Sequence, residues 1–413
     1  MSPFTLRGAF QKFPKGNRVG TLLLIVTLMM VTYGTFMVAS ASEGLAVASG
    51  SNFALMSHDV LYVLLAMVVL LVMTRIRVER LVQWGPGLFS LGLVGLILVL
   101  FKGQTTNGGQ RWISIAGQPF QPSELFKMAA IFYVTWVVSR KHKMLGEWQH
   151  LAFYMAPLGL GLLLILFERD IGTSSIVGIV AMSMLVMAGA SALQMAMTSG
   201  LAVTVIGIYT MRNSYALKRF AFFHPNTHLK DDNYQLFHSV IALGSGGVTG
   251  HGYGRSILKW GLLPNPHTDF IFSIIGEELG FAGTLMVIVL FAAFLSFATR
   301  IIKACRNDEL RLVAIGLTTW IILEALINIA SVVGLWPVTG VPLPFFSYGG
   351  TALIMQMAAV GLLYNIAHDT SVSHQLEIRS EVEPFIPMSA ILAMVPRNRP
   401  VAPPRNHVRS HRP

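Results

Sequence analysis

Cysteine is nearly absent from this 413-residue chain. Cys305 stands alone, which excludes an intrachain disulfide framework and any metal site built from several thiolates. Charge is scarce as well: 12% of the residues are Asp, Glu, Lys or Arg against 54% hydrophobic, and the mean hydropathy of +0.62 excludes an ordinary soluble globular protein. Acids are the scarcer sign, 19 against 30 Lys and Arg, leaving a formal charge of +11. No internal repeat or inverted pair of segments is evident, so nothing in the pattern points to a transporter built from two related halves.

Long apolar runs are what the chain has instead. Ten of membrane-spanning length, about 20 residues each when helical, fall at roughly 19–42, 59–75, 85–101, 124–140, 151–167, 172–190, 193–211, 270–298, 311–335 and 349–367. They predict an all-α polytopic membrane protein of about ten transmembrane helices, with both termini on one side. Cytoplasmic loops accumulate Lys and Arg, and placing the termini inside puts 20 of the 30 basic residues there. Basic loops facing anionic headgroups account for the net charge without nucleic acid. Residues 1–18 are basic like the start of a signal peptide, but the run that follows is too long for a signal core and is read as a retained span. The expected division is a cytoplasmic segment 1–18, a transmembrane domain 19–367 and a disordered, basic, proline-rich cytoplasmic tail 368–413.

The one large interruption, 212–268, lies on the outer face between the seventh and eighth spans and is too long to be structureless. It opens with basic and aromatic residues (Lys218, Arg219, Phe220, Phe222, Phe223), continues as a short amphipathic helix over 234–243 and ends in a glycine-rich stretch over 244–254. This loop is read as a lid on the membrane surface. Three other outer loops are 102–122, with Arg111-Trp112 and Ser123 as the cap of the next helix; the charged turn 168–173; and 337–350, with three prolines and Ser347-Tyr348-Gly349-Gly350.

Pro264-Asn265-Pro266-His267-Thr268-Asp269 ends the large loop at the mouth of the eighth helix. An ionisable residue at a membrane edge is a functional-site hypothesis by default. With Thr268 as cap, Asp269 falls in the first helical turn, where the macrodipole keeps it ionised. It either stabilises the helix start or takes a substrate proton. Glu124 and Lys127 are spaced to pair on one helix, and an ion pair is their simplest role. Arg169 and Asp170 read the same way, although an arginine there could grip a pyrophosphate bidentately. Glu277 and Glu278 lie about two turns into the eighth helix, roughly 12 Å below its start, and Glu324 and Asn328 share a face of the ninth. Interhelical hydrogen bonding accounts for all four. His224, His251 and His267 lack metal-ligand spacing. Arg111, Lys218, Arg219, Arg255 and Lys259 beside Trp112, Phe222, Phe223 and Trp260 form either a solvated, headgroup-facing surface or a groove for an anionic lipid.

Taken together, these motifs resemble the SEDS family (shape, elongation, division and sporulation proteins), polytopic glycosyltransferases that polymerise lipid II. The resemblance covers about residues 19–367. It is carried by Pro264 to Phe272 with Ile275-Gly276-Glu277-Glu278-Leu279-Gly280, by Arg111-Trp112, by Gln121-Pro122-Ser123-Glu124-Leu125-Phe126-Lys127, and by Pro342 to Gly350. The Ile-Gly-Glu-Glu-Leu-Gly wording and the extensions at both ends look more like the division members than the elongation members. One piece departs: where the family reads Gln-Pro-Asp-Leu-Gly-Thr, this chain has Glu168-Arg169-Asp170-Ile171-Gly172-Thr173, which keeps the acid and loses the proline.

The resemblance implies a bacterial inner-membrane enzyme at the division septum. Asp269 would be the essential base, deprotonating the 4-hydroxyl of an acceptor sugar as undecaprenyl pyrophosphate leaves the donor. Arg111, Glu124, Lys127, Asp170, Lys218, Arg219, Lys259, His267, Thr268 and Ser347 would surround the substrate, with room for a divalent cation, Mg2+ or Mn2+. A class B penicillin-binding protein and other divisome membrane proteins are the implied partners. The rival readings are a lipid II flippase and a non-catalytic divisome scaffold.

Overall fold

The computed structural model describes residues 17–48, 54–106, 109–115, 117–140, 148–212 and 234–382. In chain order the elements are α1 (Arg18–Ala41), α2 (Glu43–Ala48), α3 (Ala54–Met73), α4 (Val78–Gln83), α5 (Gly85–Lys102), β1 (Gln104–Thr106), β2 (Gly109–Ile115), β3 (Gln118–Phe120), α6 (Pro122–Arg140), α7 (Trp148–Phe167), α8 (Ile171–Met187), α9 (Ala192–Arg212), α10 (Tyr234–Ser245), α11 (Ile271–Ala304), α12 (Asp308–Val332) and α13 (Gly350–Val382). Each apolar run read from the sequence coincides with one of these helices. Seven of them are long and apolar enough to cross a membrane, α3 and α8 carry shorter apolar stretches, and the chain is a multi-pass membrane protein.

The helices sort by how they face their surroundings. α6 and α12 are buried on nearly every side, and α13 lines up with them through buried Met357, Ala358, Val360, Leu362 and Ile366. α5 sits tightly on α6: a Cβ at Gly85 would stand 2.8 Å from the Phe132 carbonyl, and one at Gly92 would press on the Phe126 ring. Small residues at such crossings let backbones approach where lipid supplies no hydrophobic drive. The remaining long helices turn apolar faces outward, among them Leu64 and Val68 on α3 and Phe281 and Val289 on α11. α9 is the extreme case, with only Gln194 buried.

The 102–122 loop is a three-stranded antiparallel sheet in the order β1-β2-β3, pairing Gln104 with Trp112 and Ile113 with Phe120. Ser123 does not cap the following helix, because α6 begins one residue earlier at Pro122. The fixed φ of proline suits a first helical position, and the Ser123 hydroxyl is left buried without a partner.

The described part of the large loop is docked on helices. The Ser239 hydroxyl on α10 donates to the Val332 carbonyl of α12 at 2.8 Å and shares a hydrogen bond with Ser273 of α11 at 2.7 Å. The first part of that loop, including Lys218, Arg219 and His224, lies outside the described residues.

The glycine-rich stretch that follows repairs a break in α11. Gly280 has φ 65° and ψ −161° inside the 34-residue helix. The groups it orphans find partners in the loop: the Glu277 and Glu278 carbonyls accept from the His251 and Gly252 N–H (3.1 and 2.9 Å), and the Phe281 and Ala282 N–H donate to the Gly247 and Val248 carbonyls (2.9 and 3.1 Å). Unpaired backbone groups at membrane depth are too costly to persist. The approach is so close that a Cβ at Gly250 would lie 2.2 Å from the Glu278 carbonyl oxygen.

Residues Met1–Thr370 form one compact unit and Ser371–Pro413 a second. The second unit begins with helix, because α13 continues to Val382, so the first part of the tail is not structureless. Residues 383–413 lie outside the described residues.

Candidate functional site

Four segments meet around Asp269: the turn 264–270, the loop 337–349, the turn 168–170 and strand β2. The 264–270 turn closes on Asn265, a non-glycine residue at φ 53°. Its carbonyl accepts from the Thr268 N–H and hydroxyl, both at 3.3 Å. Thr268 is therefore spent inside the turn and does not cap the helix. α11 begins at Ile271 after Phe270, so Asp269 precedes the helix instead of occupying its first turn. Its surroundings remain partly open to solvent.

Asn328 on α12 holds both loops, donating from Nδ2 to the Asp269 carbonyl at 2.9 Å and to the Val341 carbonyl at 2.8 Å. Ser347 donates to the Thr268 carbonyl at 2.5 Å and accepts from the Leu343 N–H at 2.8 Å, and the Tyr348 N–H reaches the His267 carbonyl at 2.8 Å. The hydroxyl of Ser347 thus stitches the two loops together. The His267 ring lies 5.5 Å from that of Tyr348, with Nδ1 buried and unpartnered. Burial pushes its pKa down to about 4, so the imidazole is neutral.

Arg111, carried by β2, stands opposite. Its Nη1 lies 3.6 Å from Asp170 Oδ2, its Nη2 donates to the Arg169 carbonyl at 2.5 Å, and its Nε is buried without a partner. Asp170 caps α8 through the Thr173 N–H at 3.0 Å. Gly340 (φ 73°) lies between the two loops, and a Cβ there would sit 3.6 Å from Asp269 Oδ2 and 3.8 Å from Arg111 Nη1. A carboxylate and a guanidinium therefore face one bare spot. Next to them Glu168 is fully buried, neither carboxyl oxygen having a partner among the described residues. Burial above all, then the charge of Asp170, pushes its pKa up to about 9 against the pull of Arg111, and the group holds its proton at neutral pH. The sequence marked Glu168 only as a departure from the family wording.

Glu124 and Lys127 pair as their spacing predicts, at 2.8 Å. Lys127 also bonds Glu324 of α12 and stands 5.1 Å from the Trp320 ring centroid. From Glu324 the chain of contacts continues to Gln356 Nε2 at 3.0 Å, whose Oε1 accepts from the Phe345 N–H at 3.2 Å. The buried triad is thereby tied to the loop that clasps Asp269. Glu324 hydrogen-bonds between helices, as expected, whereas the Asn328 amide donates to the two loops instead.

Lys259 is not brought to this site. It is fully buried, bonded to Glu43 at 2.6 Å, to the Gly254 carbonyl at 2.8 Å, to Ser40 at 3.2 Å and to Glu278 at 3.4 Å. It therefore does not line an open basic groove, because three segments fold acids and oxygens around it. Glu277 and Glu278 accept from the backbone of the glycine-rich loop and its neighbours, among them the Ile257 N–H at 2.8 Å and the Gly254 N–H at 3.0 Å. Among the described residues no group of three or more His, Cys, Asp or Glu gathers to hold a metal ion. The two acids beside Arg111 do not by themselves make a cage for a divalent cation.

Comparison with known proteins identifies the arrangement. A family model described as cell cycle protein, for FtsW, RodA and SpoVE, matches residues 20–372. The probable peptidoglycan glycosyltransferase FtsW of Trichlorobacter lovleyi is 34% identical over 357 residues, 84% of this chain and 92% of that one. The protein of the same description from Methylococcus capsulatus is 34% identical over 376 residues, 89% of this chain and 94% of that one. Among solved structures, a chain from a peptidoglycan synthase complex that coordinates polymerization and crosslinking superposes with a TM-score of 0.69 at 22% identity, covering 84% of this chain and 97% of that one. The rod shape determining protein RodA of Thermus thermophilus gives 0.61 at 22% identity, covering 84% and 96%.

Proposed function

This chain belongs to the FtsW, RodA and SpoVE family of cell cycle proteins, and from that membership we propose that it is a glycosyltransferase that polymerises lipid II into glycan strands during septal wall synthesis. It would work in the bacterial inner membrane with about ten spans and both termini in the cytoplasm. The observation that carries the mechanism is the placement of Asp269 and Arg111 on either side of Gly340. Asp269 accepts the proton of the acceptor 4-hydroxyl as that oxygen bonds the anomeric carbon of the lipid-linked donor. The bond from that carbon to the pyrophosphate oxygen breaks, and undecaprenyl pyrophosphate departs. Arg111, whose Nε has no hydrogen-bond partner among the described residues, is the positive charge beside the leaving group. Asn328 and Ser347 fix the Asp269 loop, and the buried triad fixes the loop opposite. A flippase needs a path through the bilayer, whereas the motif residues here gather at one end of the helices. A transpeptidase of the class B penicillin-binding type is the proposed partner, in keeping with the synthase complex among the structural neighbours.

The test is polymerisation of purified lipid II by the purified full-length chain. Asp269→Ala and Asp269→Asn should each abolish glycan synthesis, at least about 100-fold for a lost general base, while the protein stays folded and inserted. Wild-type synthesis by either variant would remove Asp269 from the mechanism.

A further inference from the structure

A cavity of about 280 Å3 lies between α1 and α3, away from the contacts that hold Asp269. Its wall is mostly apolar, with Val31, Val38, Ala39 and Val63, and exposed Thr32 and Phe36 leave it open toward the lipid side. One acid lines it. Asp59 is 8% exposed, and among the described residues no hydrogen bond or ion pair reaches its side chain. The cavity's other polar groups offer it little: the hydroxyls of Thr35 and Ser42 donate to the Val31 and Val38 carbonyls of their own helix. Ser42 follows the last residue of α1, so the acid end of the cavity lies at the level where these helices meet the headgroups.

A carboxylate in such a place is costly unless a cation joins it. Among the described residues no cation pairs with it, and the cavity opens to the solvent that can supply one: lipid. Pyrophosphate-linked or net anionic lipids would bring like charge to Asp59. A zwitterionic lipid with a primary ammonium brings the opposite charge together with an acyl chain for the apolar wall. The volume falls just short of the ~300–1,000 Å3 of a whole-ligand pocket, room for the headgroup and the start of a chain whose remainder runs out past Phe36. We propose that the α1–α3 cavity binds an amine-headed phospholipid of the ethanolamine type, with Asp59 as the counter-ion of its ammonium.

The full-length chain would be reconstituted in vesicles of equal parts dioleoyl phosphatidylethanolamine and dioleoyl phosphatidylglycerol, re-extracted in mild detergent and weighed intact by native mass spectrometry. The wild type should retain one phosphatidylethanolamine. Asp59→Asn, which keeps shape and loses charge, should retain about tenfold less, as expected when a charge-assisted hydrogen bond is lost. Ala39→Phe, which fills the cavity and leaves Asp59 in place, should lose the lipid too and decides the matter if Asp59→Asn fails to fold. Equal retention by wild type and Ala39→Phe, retention of phosphatidylglycerol as readily as phosphatidylethanolamine, or a lipid-linked precursor in the lipid's place would each overturn the proposal.

Discussion

Glu168 carries a proton that an exposed glutamate would have lost, and this makes the protein's stability depend on pH. The folded-state pKa of about 9 lies above the ordinary glutamate value of 4.5. The stabilisation is therefore complete below about pH 4.5 and is lost as pH rises through 9. His267 works in the opposite sense, its lowered value contributing stability above pH 6.5 that is lost as pH falls toward 4. Between pH 7 and 9 only Glu168 titrates of the two. The unfolding midpoint of the wild type in detergent should fall across that interval, and Glu168→Gln should flatten the fall. An unchanged slope in the variant would show that the proton sits elsewhere. At Lys127 the issue is stranded charge. Lys127→Ala leaves Glu124 and Glu324 facing each other in the interior, at a cost of about 3–5 kcal/mol, readable as a lowered midpoint. Exchanging Glu124 and Lys127 should not recover it, because a carboxylate at 127 then meets Glu324. Half of this cluster was legible in the sequence, since i,i+3 spacing fixes one pair. Glu324 arrives from almost 200 residues away, and no local pattern sets that register. Lys259 misled for the same reason: its partners Ser40, Glu43 and Glu278 come from other segments and convert a loop cation into a core one.

Among the elements, the helices were the most readable, because an apolar run of helical span length has few alternatives in a membrane. The sheet of β1, β2 and β3 was not, its strands being three to seven residues of mixed polarity with no alternation to mark them. Nor was the interruption of α11, because Gly280 is one glycine among several in 270–298 and only its backbone conformation departs. Gly280→Ala should cost about 1–3 kcal/mol for the left-handed backbone alone, and more because the new Cβ would lie 2.4 Å from the Gly250 nitrogen. Thermal unfolding of the variant measures it. The same exchange at Gly87, whose Cβ would meet nothing, is the control and should be near neutral.

For the whole molecule, orientation is the property read from composition and least visible in a fold without a bilayer. It is open to labelling in cells. A single cysteine at exposed position 260, Trp260→Cys, should react with an impermeant maleimide added outside intact spheroplasts. Arg306→Cys should react only after permeabilisation. Native Cys305 is buried and adds little background. Reaction of position 306 from outside would reverse the proposed topology. The family was legible because Pro264 to Phe272, Gln121 to Lys127 and Pro342 to Gly350 sit in order along the chain. Their convergence through Asn328, Gly340 and Gln356 was not, since these three residues carry no chemistry of their own and act only by position.

The interruption at Gly280 also governs how the protein is made. Residues 281–304, 24 in number, span about 36 Å as a helix and suffice to cross a hydrocarbon core of about 30 Å. They can enter the bilayer as one segment whose first N–H groups, those of Phe281 and Ala282 among them, have no acceptor within it. The carbonyls those groups need, at Gly247 and Val248, belong to chain synthesised earlier. The loop that precedes the helix in the chain thus holds the acceptors that its second part needs, and residues 271–279 pack against the same loop. Biosynthetic order and final architecture agree, and a circular permutant that delivered 246–252 after α11 would insert a helix with open valences.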